Sequence, residues 1–344
     1  MEKTSLGRTN LMVSRTSFGA LPIQRISLKD AEYLLRKAYN NGINYFDTAR
    51  KYSDSEEKIG YALSDVREKI IISTKSHGET GKELLEHIDI SLKNLKTDYV
   101  DILQIHNPSF LPVPGHKSGL YEALLKAKEM GKTRFIGITN HKLNIANDAV
   151  LSGLYDTVQF PLSSISSQED LALIELCKKH NIGLIAMKAL SGGLITNAAS
   201  AFTFLRQYEN VVPIWGIQKE WELDEFISLE GNPPNLDQEM IEIIEKDRKE
   251  LAGSFCRGCG YCMPCPVGIP ISVAARMSYM LDRSPIMPFM TDEWREKMDN
   301  INNCIECGQC KSNCPYELDT PNLLKKMLQS YNATYENYKR SISK

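Results

Sequence analysis

The sequence predicts an α/β fold: a (β/α)8 TIM barrel followed by a small helical domain rich in cysteine. Two observations carry this. Eight short apolar runs between residues 16 and 217 alternate with amphipathic helical stretches, most at the spacing of about thirty residues that a strand-helix-strand unit needs. Beyond them, eight of the nine cysteines fall between residues 256 and 314. The expected division is 1–230 for the barrel, 231–252 for a connecting helix, 253–330 for the cysteine domain and 331–344 for a polar tail, surface-bound or loose.

The candidate strands are TSFGA, NYFDTA, KIIISTK, VDILQIH, FIGITN, TVQF, GLIAMK and VVPIWGI, ending near Ala20, Ala49, Lys75, His106, Asn140, Phe160, Lys188 and Ile217. Between the first two, KDAEYLLRKAYNNG from Lys29 places Ala31, Leu34, Leu35 and Ala38 on one face and ends in Gly42, a C-cap signal. Ser53-Asp54-Ser55-Glu56 has capping-box spacing, so a helix should begin directly after Tyr52. A doubly wound open sheet also suits the alternation, but no Gly-x-Gly-x-x-Gly follows an early strand. GNPPN, Gly231 to Asn235, reads as a loop before the helix LDQEMIEIIEKDRKELAG. ISVAARMSYML and TDEWREKMDNIN read as helices separated by Pro285 and Pro288.

Composition narrows the class of protein. The 344 residues, 42% apolar, suffice for a full core, and the formal charge of -2 with no basic run argues against nucleic acid as a partner. The N-terminal stretch lacks an apolar segment followed by a small-residue cleavage site, and no apolar run reaches membrane-span length, so a cytoplasmic location without membrane contact is expected. The Asn332-Ala333-Thr334 sequon is then irrelevant. Cys177, on the helical pattern LALIELCKKH, is expected to be a buried core thiol.

In barrels of this kind, chemistry sits where the strands end. Four polar residues mark those ends: Asp47 after NYF, Tyr52 five residues on, Lys75 closing IIISTK and His106 closing VDILQIH. Singly, each has a plain alternative as a helix cap, a packing residue, a snorkelling lysine or a satisfied core histidine. Together they specify a mechanism. A tyrosine, with a pKa of about 10, is a poor acid near neutrality, but an adjacent ammonium stabilises its phenolate. Lys75 would supply that ammonium, Asp47 would hold it charged, and neutral His106 would orient a carbonyl.

The motifs FDTARKYSDSEEKIG, ISTK, DILQIH, GKTRFIGITNH and IAMKALSGG, in that order, resemble those of the aldo/keto reductases over roughly residues 4 to 225. The resemblance implies hydride transfer between a nicotinamide dinucleotide, NADPH or NADH, and a small-molecule aldehyde or ketone. It implies Tyr52 as proton donor, Lys75 and Asp47 as its tuning pair, and His106 as the orienting residue. Thr139, Asn140 and Gln159 match positions near the nicotinamide amide, and Lys188, Ser191, Gly192 and Gly193 match a loop near the pyrophosphate. The chain departs from the family at Leu162, where a stacking tyrosine is common, and at Glu222 and Phe226, where residues contacting the adenosine end are usual. An acid near a ribose 2'-phosphate would repel it, although Lys219 could compensate, so NADP and NAD both stay open.

The second cysteine quartet, CIECGQCKSNCP, has the C-x2-C-x2-C-x3-C-P spacing of bacterial ferredoxins, and the first, CRGCGYCMPCP, is one residue shorter before its last cysteine. Zinc is the alternative, but zinc ribbons usually pair two C-x2-C knuckles across a longer gap. In two-cluster ferredoxins the fourth cysteine of each run reaches the neighbouring cluster. On that pattern Cys256, Cys259, Cys262 and Cys314 hold one [4Fe-4S] cluster, and Cys265, Cys304, Cys307 and Cys310 the other; the shortened quartet leaves a single cluster possible. The segment resembles the helical two-cluster ferredoxin domains, and barrel-plus-cluster chains form a branch of the aldo/keto reductases. Three readings follow: clusters that staple a lid, clusters that wire the site to an electron carrier such as ferredoxin, and a non-catalytic binding module, which the intact tetrad opposes. No flavin-binding motif is present.

Overall fold

The structure is a computed structural model that describes residues 1–251, 255–283 and 285–342. Contacts divide the chain into two compact units, one of Met1–Ala189 with Asn197–Ile244, the other of Leu190–Thr196 with Glu245–Lys344. The expected boundary at residues 252 and 253 lies outside the described residues.

The first unit opens with an antiparallel hairpin, β1 (Lys3–Ser5) and β2 (Met12–Ser14), which the sequence reading does not anticipate. Its Leu6, Leu11 and Val13 pack with Tyr45, Ile71, Ile102 and Val212 and plug the end of the barrel at which strands begin. Gly7, at φ +52°, comes so close to the Gly183 backbone that a Cβ would lie 2.3 Å from its nitrogen, so only glycine fits there.

Eight parallel strands form the closed ring: β3 (Ser17–Gly19), β4 (Tyr45–Asp47), β5 (Ile71–Ser76), β6 (Val100–His106), β7 (Thr133–Thr139), β8 (Thr157–Pro161), β9 (Gly183–Met187) and β10 (Val211–Gly216), with β10 pairing back onto β3. Their nearly unbroken burial explains why they read as continuous apolar runs. The helices that follow them in turn are α1 (Leu28–Asn40), α2 (Ser55–Leu63), α3 (Gly81–Leu95), α4 (Leu120–Glu129), α5 (Leu143–Ser152), α6 (Gln168–His180), α7 (Ala198–Arg206) and α8 (Glu220–Gly231). The predicted face of α1 is buried as expected, and Ser27 caps its start by accepting from the Asp30 N–H at 3.1 Å. Helix α2 starts at Ser55, later than the capping-box reading, because Glu56 turns inward. Cys177 is fully buried, and burial pushes its thiol up to about 12.

The second unit is helical. It takes up the end of α9 (Gln238–Glu250) and contains α10 (Ile271–Ala274), α11 (Met277–Arg283), α12 (Asp292–Asp299), α13 (Gln309–Ser312) and α14 (Thr320–Ile342). ISVAARMSYML thus forms two short helices rather than one; residues 331–342 of the tail expected to be surface-bound or loose continue α14, and 343–344 lie outside the described residues. Tyr331 and Tyr335 of that helix are buried in a core with Ile271, Met277, Met298, Leu324 and Met327.

Candidate active site and cysteine cages

The barrel register brings the predicted tetrad to one end. Asp47 pairs with Ser73 across β4 and β5, Lys75 with Gln104 across β5 and β6, and His106 with Thr139 across β6 and β7. Period-two alternation turns Ser73 and Lys75, like Gln104 and His106, to the same side of their strands. Asp47 and Lys75 are 2% and 1% exposed, so this is a buried ion pair, with Lys75 Nζ 2.6 Å from Asp47 Oδ2. The ammonium also donates to the Thr48 carbonyl at 2.6 Å, and Ser73 Oγ donates to Asp47 Oδ1 at 2.5 Å. These charge-assisted bonds replace the water that burial removes.

Tyr52 lies over this pair. Lys75 Nζ is 5.3 Å from its ring centroid, and the His106 ring meets it edge-on with centroids 5.8 Å apart. Burial pulls Lys75 below its ordinary value against the opposing pull of Asp47. Burial, followed by the charges of Lys75, His141, Lys51 and His77, holds His106 well below the usual histidine range, so its imidazole is neutral at pH 7. A phenol beside a buried ammonium and a neutral imidazole can donate a proton and orient an acceptor.

Thr139, Asn140 and Gln159 stand on the adjoining strand ends, and Thr139 pairs with Gln159 in register. Each is already engaged. Thr139 Oγ1 accepts from the Asn107 N–H at 3.1 Å; Asn140 donates to the Pro108 carbonyl and accepts from the Lys142 N–H, both at 2.8 Å. Gln159 Oε1 accepts from Gln104 Nε2 at 2.9 Å. A side-chain amide has two donor hydrogens and two lone pairs, so capacity for a ligand remains. Lys188 stays in the barrel unit, at positive φ, whereas Ser191, Gly192 and Gly193 belong to the other unit. There Arg276 Nη1 donates to the Gly192 carbonyl at 2.6 Å and Arg283 Nη1 to the Leu194 carbonyl at 2.9 Å.

Sequence reasoning missed the supporting residues. Ser73 and Gln104 were detectable as polar side chains two positions before Lys75 and His106, on the same strand faces. Glu56 was assigned to a helix cap; it is fully buried, accepts from Thr74 Oγ1 at 2.6 Å and pairs with Arg50.

The eight thiols of the second unit line two neighbouring hollows. One is bounded by Cys256, Cys259, Cys262 and Cys314 with Tyr316, and the other by Cys265, Cys304, Cys307 and Cys310 with Ile305. Cys262 and Cys310 face both. Among the described residues no group of three or more His, Cys, Asp or Glu side chains is placed to hold a single metal ion; the cysteines line the two hollows instead. Burial and the neighbouring thiols push Cys262 up to about 12 and raise Cys256 and Cys310, so thiolates gathered here need a cationic group between them. Gly258 makes the first turn possible: at φ +62°, a Cβ would lie 2.8 Å from the Arg276 guanidinium carbon. Its N–H points to Cys256 Sγ at 3.4 Å.

The aldo/keto reductase family profile matches residues 16–201, more than half of the chain. The chain belongs to the aldo/keto reductase family. Residues 255–319 match a 4Fe-4S dicluster domain, so this aldo/keto reductase carries an iron-sulfur module at its C-terminal side. Its barrel is similar to L-galactose dehydrogenase of Arabidopsis thaliana, 34% identical over 215 residues that cover 57% of this chain and 67% of that one. It is also similar to the oxidoreductase YqkF of Bacillus subtilis, 30% identical over 212 residues with the same coverages, 57% and 67%. In fold, it is similar to the holo form of the aldo-keto reductase AKR11C1 from Bacillus halodurans, with a TM-score of 0.63 at 20% identity over 72% of this chain and 96% of that one.

The departures of this aldo/keto reductase from its family have structural occupations. Leu162 is buried, and Phe226 stacks on Trp215 with centroids 4.3 Å apart. The Glu222 carboxylate accepts from the Gln218 and Lys219 N–H groups at 2.9 and 3.0 Å, closing the first turn of α8. An acid committed to backbone donors repels a nearby phosphate less than an open one.

Proposed function

We propose that the protein reduces an aldehyde or ketone with NADH or NADPH and that Tyr52 donates the proton. The observation that carries this reading is the buried Lys75–Asp47 pair beneath the Tyr52 ring, with neutral His106 edge-on to it. When bound, the dihydronicotinamide supplies a hydride to the carbonyl carbon. Tyr52 gives its phenolic proton to the carbonyl oxygen as the alcohol forms; Lys75 stabilises the phenolate until solvent returns the proton. His106 donates one N–H to the carbonyl oxygen and so fixes the face presented. Thr139, Asn140, Gln159 and Lys188 are the assigned nucleotide contacts in the barrel. Ser191, Gly192 and Gly193 enter only as the family resemblance implies.

In the second unit, Cys256, Cys259, Cys262 and Cys314 are assigned to one [4Fe-4S] cluster, and Cys265, Cys304, Cys307 and Cys310 to the other. Support comes from the two hollows, each edged by one of these sets. A second reading, in which an electron carrier such as ferredoxin exchanges electrons with the clusters, is favoured by the rim of the second hollow, where Cys307 is exposed and Ile305 is 62% exposed. Anaerobic addition of NADH or NADPH to iron-loaded protein tests whether the clusters take part in redox chemistry: bleaching of the cluster absorbance supports wired clusters, and unchanged clusters during carbonyl turnover support a structural role.

The test of the first reading is Tyr52→Phe. It should lower carbonyl turnover by at least about a hundredfold, the loss typical of a removed general acid, with iron content and nucleotide binding retained. Undiminished turnover in that variant removes Tyr52 as the acid.

A further inference from the structure

The two hollows of the second unit differ in the charges set around them. The first is bounded by Arg257 as well as by its cysteines. The Arg257 guanidinium is held between two rings, 4.7 Å from the Phe255 centroid and 4.4 Å from that of Tyr316, which also lines the hollow. A second guanidinium lies against the same turn of chain: a Cβ on Gly258, between Cys256 and Cys259, would be 2.8 Å from Arg276 Cζ. Arg276 is fixed there by donating from Nε to the Ser272 carbonyl at 2.9 Å and from Nη1 to the Gly192 carbonyl at 2.6 Å. The Gly258 N–H adds a dipole aimed at Cys256 Sγ at 3.4 Å. A guanidinium stays charged at every working pH, so these are permanent features of the first hollow. The second hollow is walled mostly by apolar side chains, among them Val267, Ile269, Ile305 and Leu324, and the charged residue on its lining is an acid, Glu306. Glu306 is 2.9 Å from Lys325, and the two side chains are 68% and 56% exposed. Cys307 is exposed as well, whereas the four cysteines of the first hollow are all partly buried.

Reducing a [4Fe-4S] cluster adds one negative charge to a site that already holds four thiolates. A fixed cation beside it stabilises the reduced form more than the oxidised form and so raises the potential, while a carboxylate does the reverse. Exposed charges act more weakly, because water and salt screen them. Solvent at the rim of the second hollow also favours reduction there, but a full charge acts on the added electron over a longer range than a water dipole does. We propose that Arg257 and Arg276 make the first hollow the electron sink of this unit. The cluster held by Cys256, Cys259, Cys262 and Cys314 then has the higher reduction potential, and the one held by Cys265, Cys304, Cys307 and Cys310, at the exposed rim, is the port through which a one-electron carrier reaches it. The carrier is oxidised by one electron, the first cluster goes from 2+ to 1+, and no bond or proton is moved. This rests on the assignment of the eight cysteines to two clusters and gives those clusters unequal roles.

The experiment is an anaerobic potentiometric titration of the iron-loaded full chain with dithionite, followed by visible absorbance and by the paramagnetic signal of the reduced clusters, at low and high salt. Wild type should hold about eight irons and reduce in two one-electron steps. Arg257→Gln and Arg276→Gln should each lower the reduced-to-oxidised ratio of the upper step about tenfold at a fixed potential, a shift of about 59 mV for one electron, and leave the lower step in place. Arg257→Lys and Arg276→Lys should keep the upper step. Glu306→Gln should move the lower step alone, upward, and added salt should move the lower step more than the upper. Arginine variants that shift the lower step, or neither step, overturn the proposal, as does a single unresolved step in wild type with eight irons. Should an arginine variant lose its iron, salt and Glu306→Gln still assign the steps: an upper step that responds to both more than the lower one overturns the proposal. Wild type with four irons sinks the two-cluster assignment and the proposal with it, whereas eight irons with the two steps in the reverse order sinks the proposal alone.

Discussion

Lys75 is a charged side chain with 1% of its surface exposed, and the groups that make this tolerable are those on which the proposed acid role of Tyr52 depends. Removing one member of a buried pair leaves the other uncompensated. Asp47→Ala should thus destabilise the barrel by about 3–5 kcal/mol, whereas Asp47→Leu combined with Lys75→Met should restore much of that. Denaturant midpoints of the three proteins check this; a double variant no more stable than Asp47→Ala would show that the two residues do not act as a pair. His106 adds a pH dependence. Its folded pKa lies below the unfolded value of about 6.5, so in that window the unfolded chain binds the extra proton and stability falls on acidification. The slope contributed should approach 1.4 kcal/mol per pH unit, begin below about pH 6.5 and vanish in His106→Gln. Thermal melts between pH 5 and 8 read it directly. That Asp47, Lys75 and His106 come together was legible because all three stand at or next to strand ends of one barrel. Glu56 was not, because spacing alone does not distinguish a carboxylate reaching back to a helix start from one turned inward to Thr74 and Arg50.

At the scale of the element, α14 shows what composition hides. SYNATYENYKR reads as polar, yet Tyr331 and Tyr335, four apart, form a buried aromatic stripe, with the Tyr331 hydroxyl donating to the Phe289 carbonyl at 2.8 Å. Tyr331→Ala should cost the second unit about 3–5 kcal/mol and reduce the iron retained after purification. A variant as stable and as iron-rich as wild type would return the end of α14 to the surface-bound or loose tail expected from sequence. The barrel strands and α1 were legible from periodicity. The β1–β2 hairpin was not: its strands are three residues each, and only packing against the barrel end makes them regular.

For the whole molecule, each unit has its own core, and the second holds eight thiols around two hollows. A small core that encloses metal gains much of its stability from that metal. Cys310→Ala, or anaerobic chelation of the wild type, should strip iron and abolish or lower one thermal transition while the barrel's helix and strand signal persists. Loss of both together would mean that the units do not fold separately. Chain order could not reveal that Leu190–Thr196 groups with the cysteine unit, because tertiary hydrogen bonds from Arg276 and Arg283 tie it there. Among the described residues no helix is long and apolar enough to cross a membrane.

Nicotinamide-dependent carbonyl reduction at Tyr52 is what we propose for the barrel. The direct measurement is anaerobic single-turnover oxidation of NADH and NADPH by iron-loaded wild type and Tyr52→Phe, with nucleotide binding and alcohol formation followed in the same samples. Binding is expected in both proteins, with one alcohol formed per nucleotide oxidised in wild type and a loss of at least about a hundredfold in rate in the variant. Wild type that binds neither nucleotide, or a variant that forms alcohol at the wild-type rate, would contradict it.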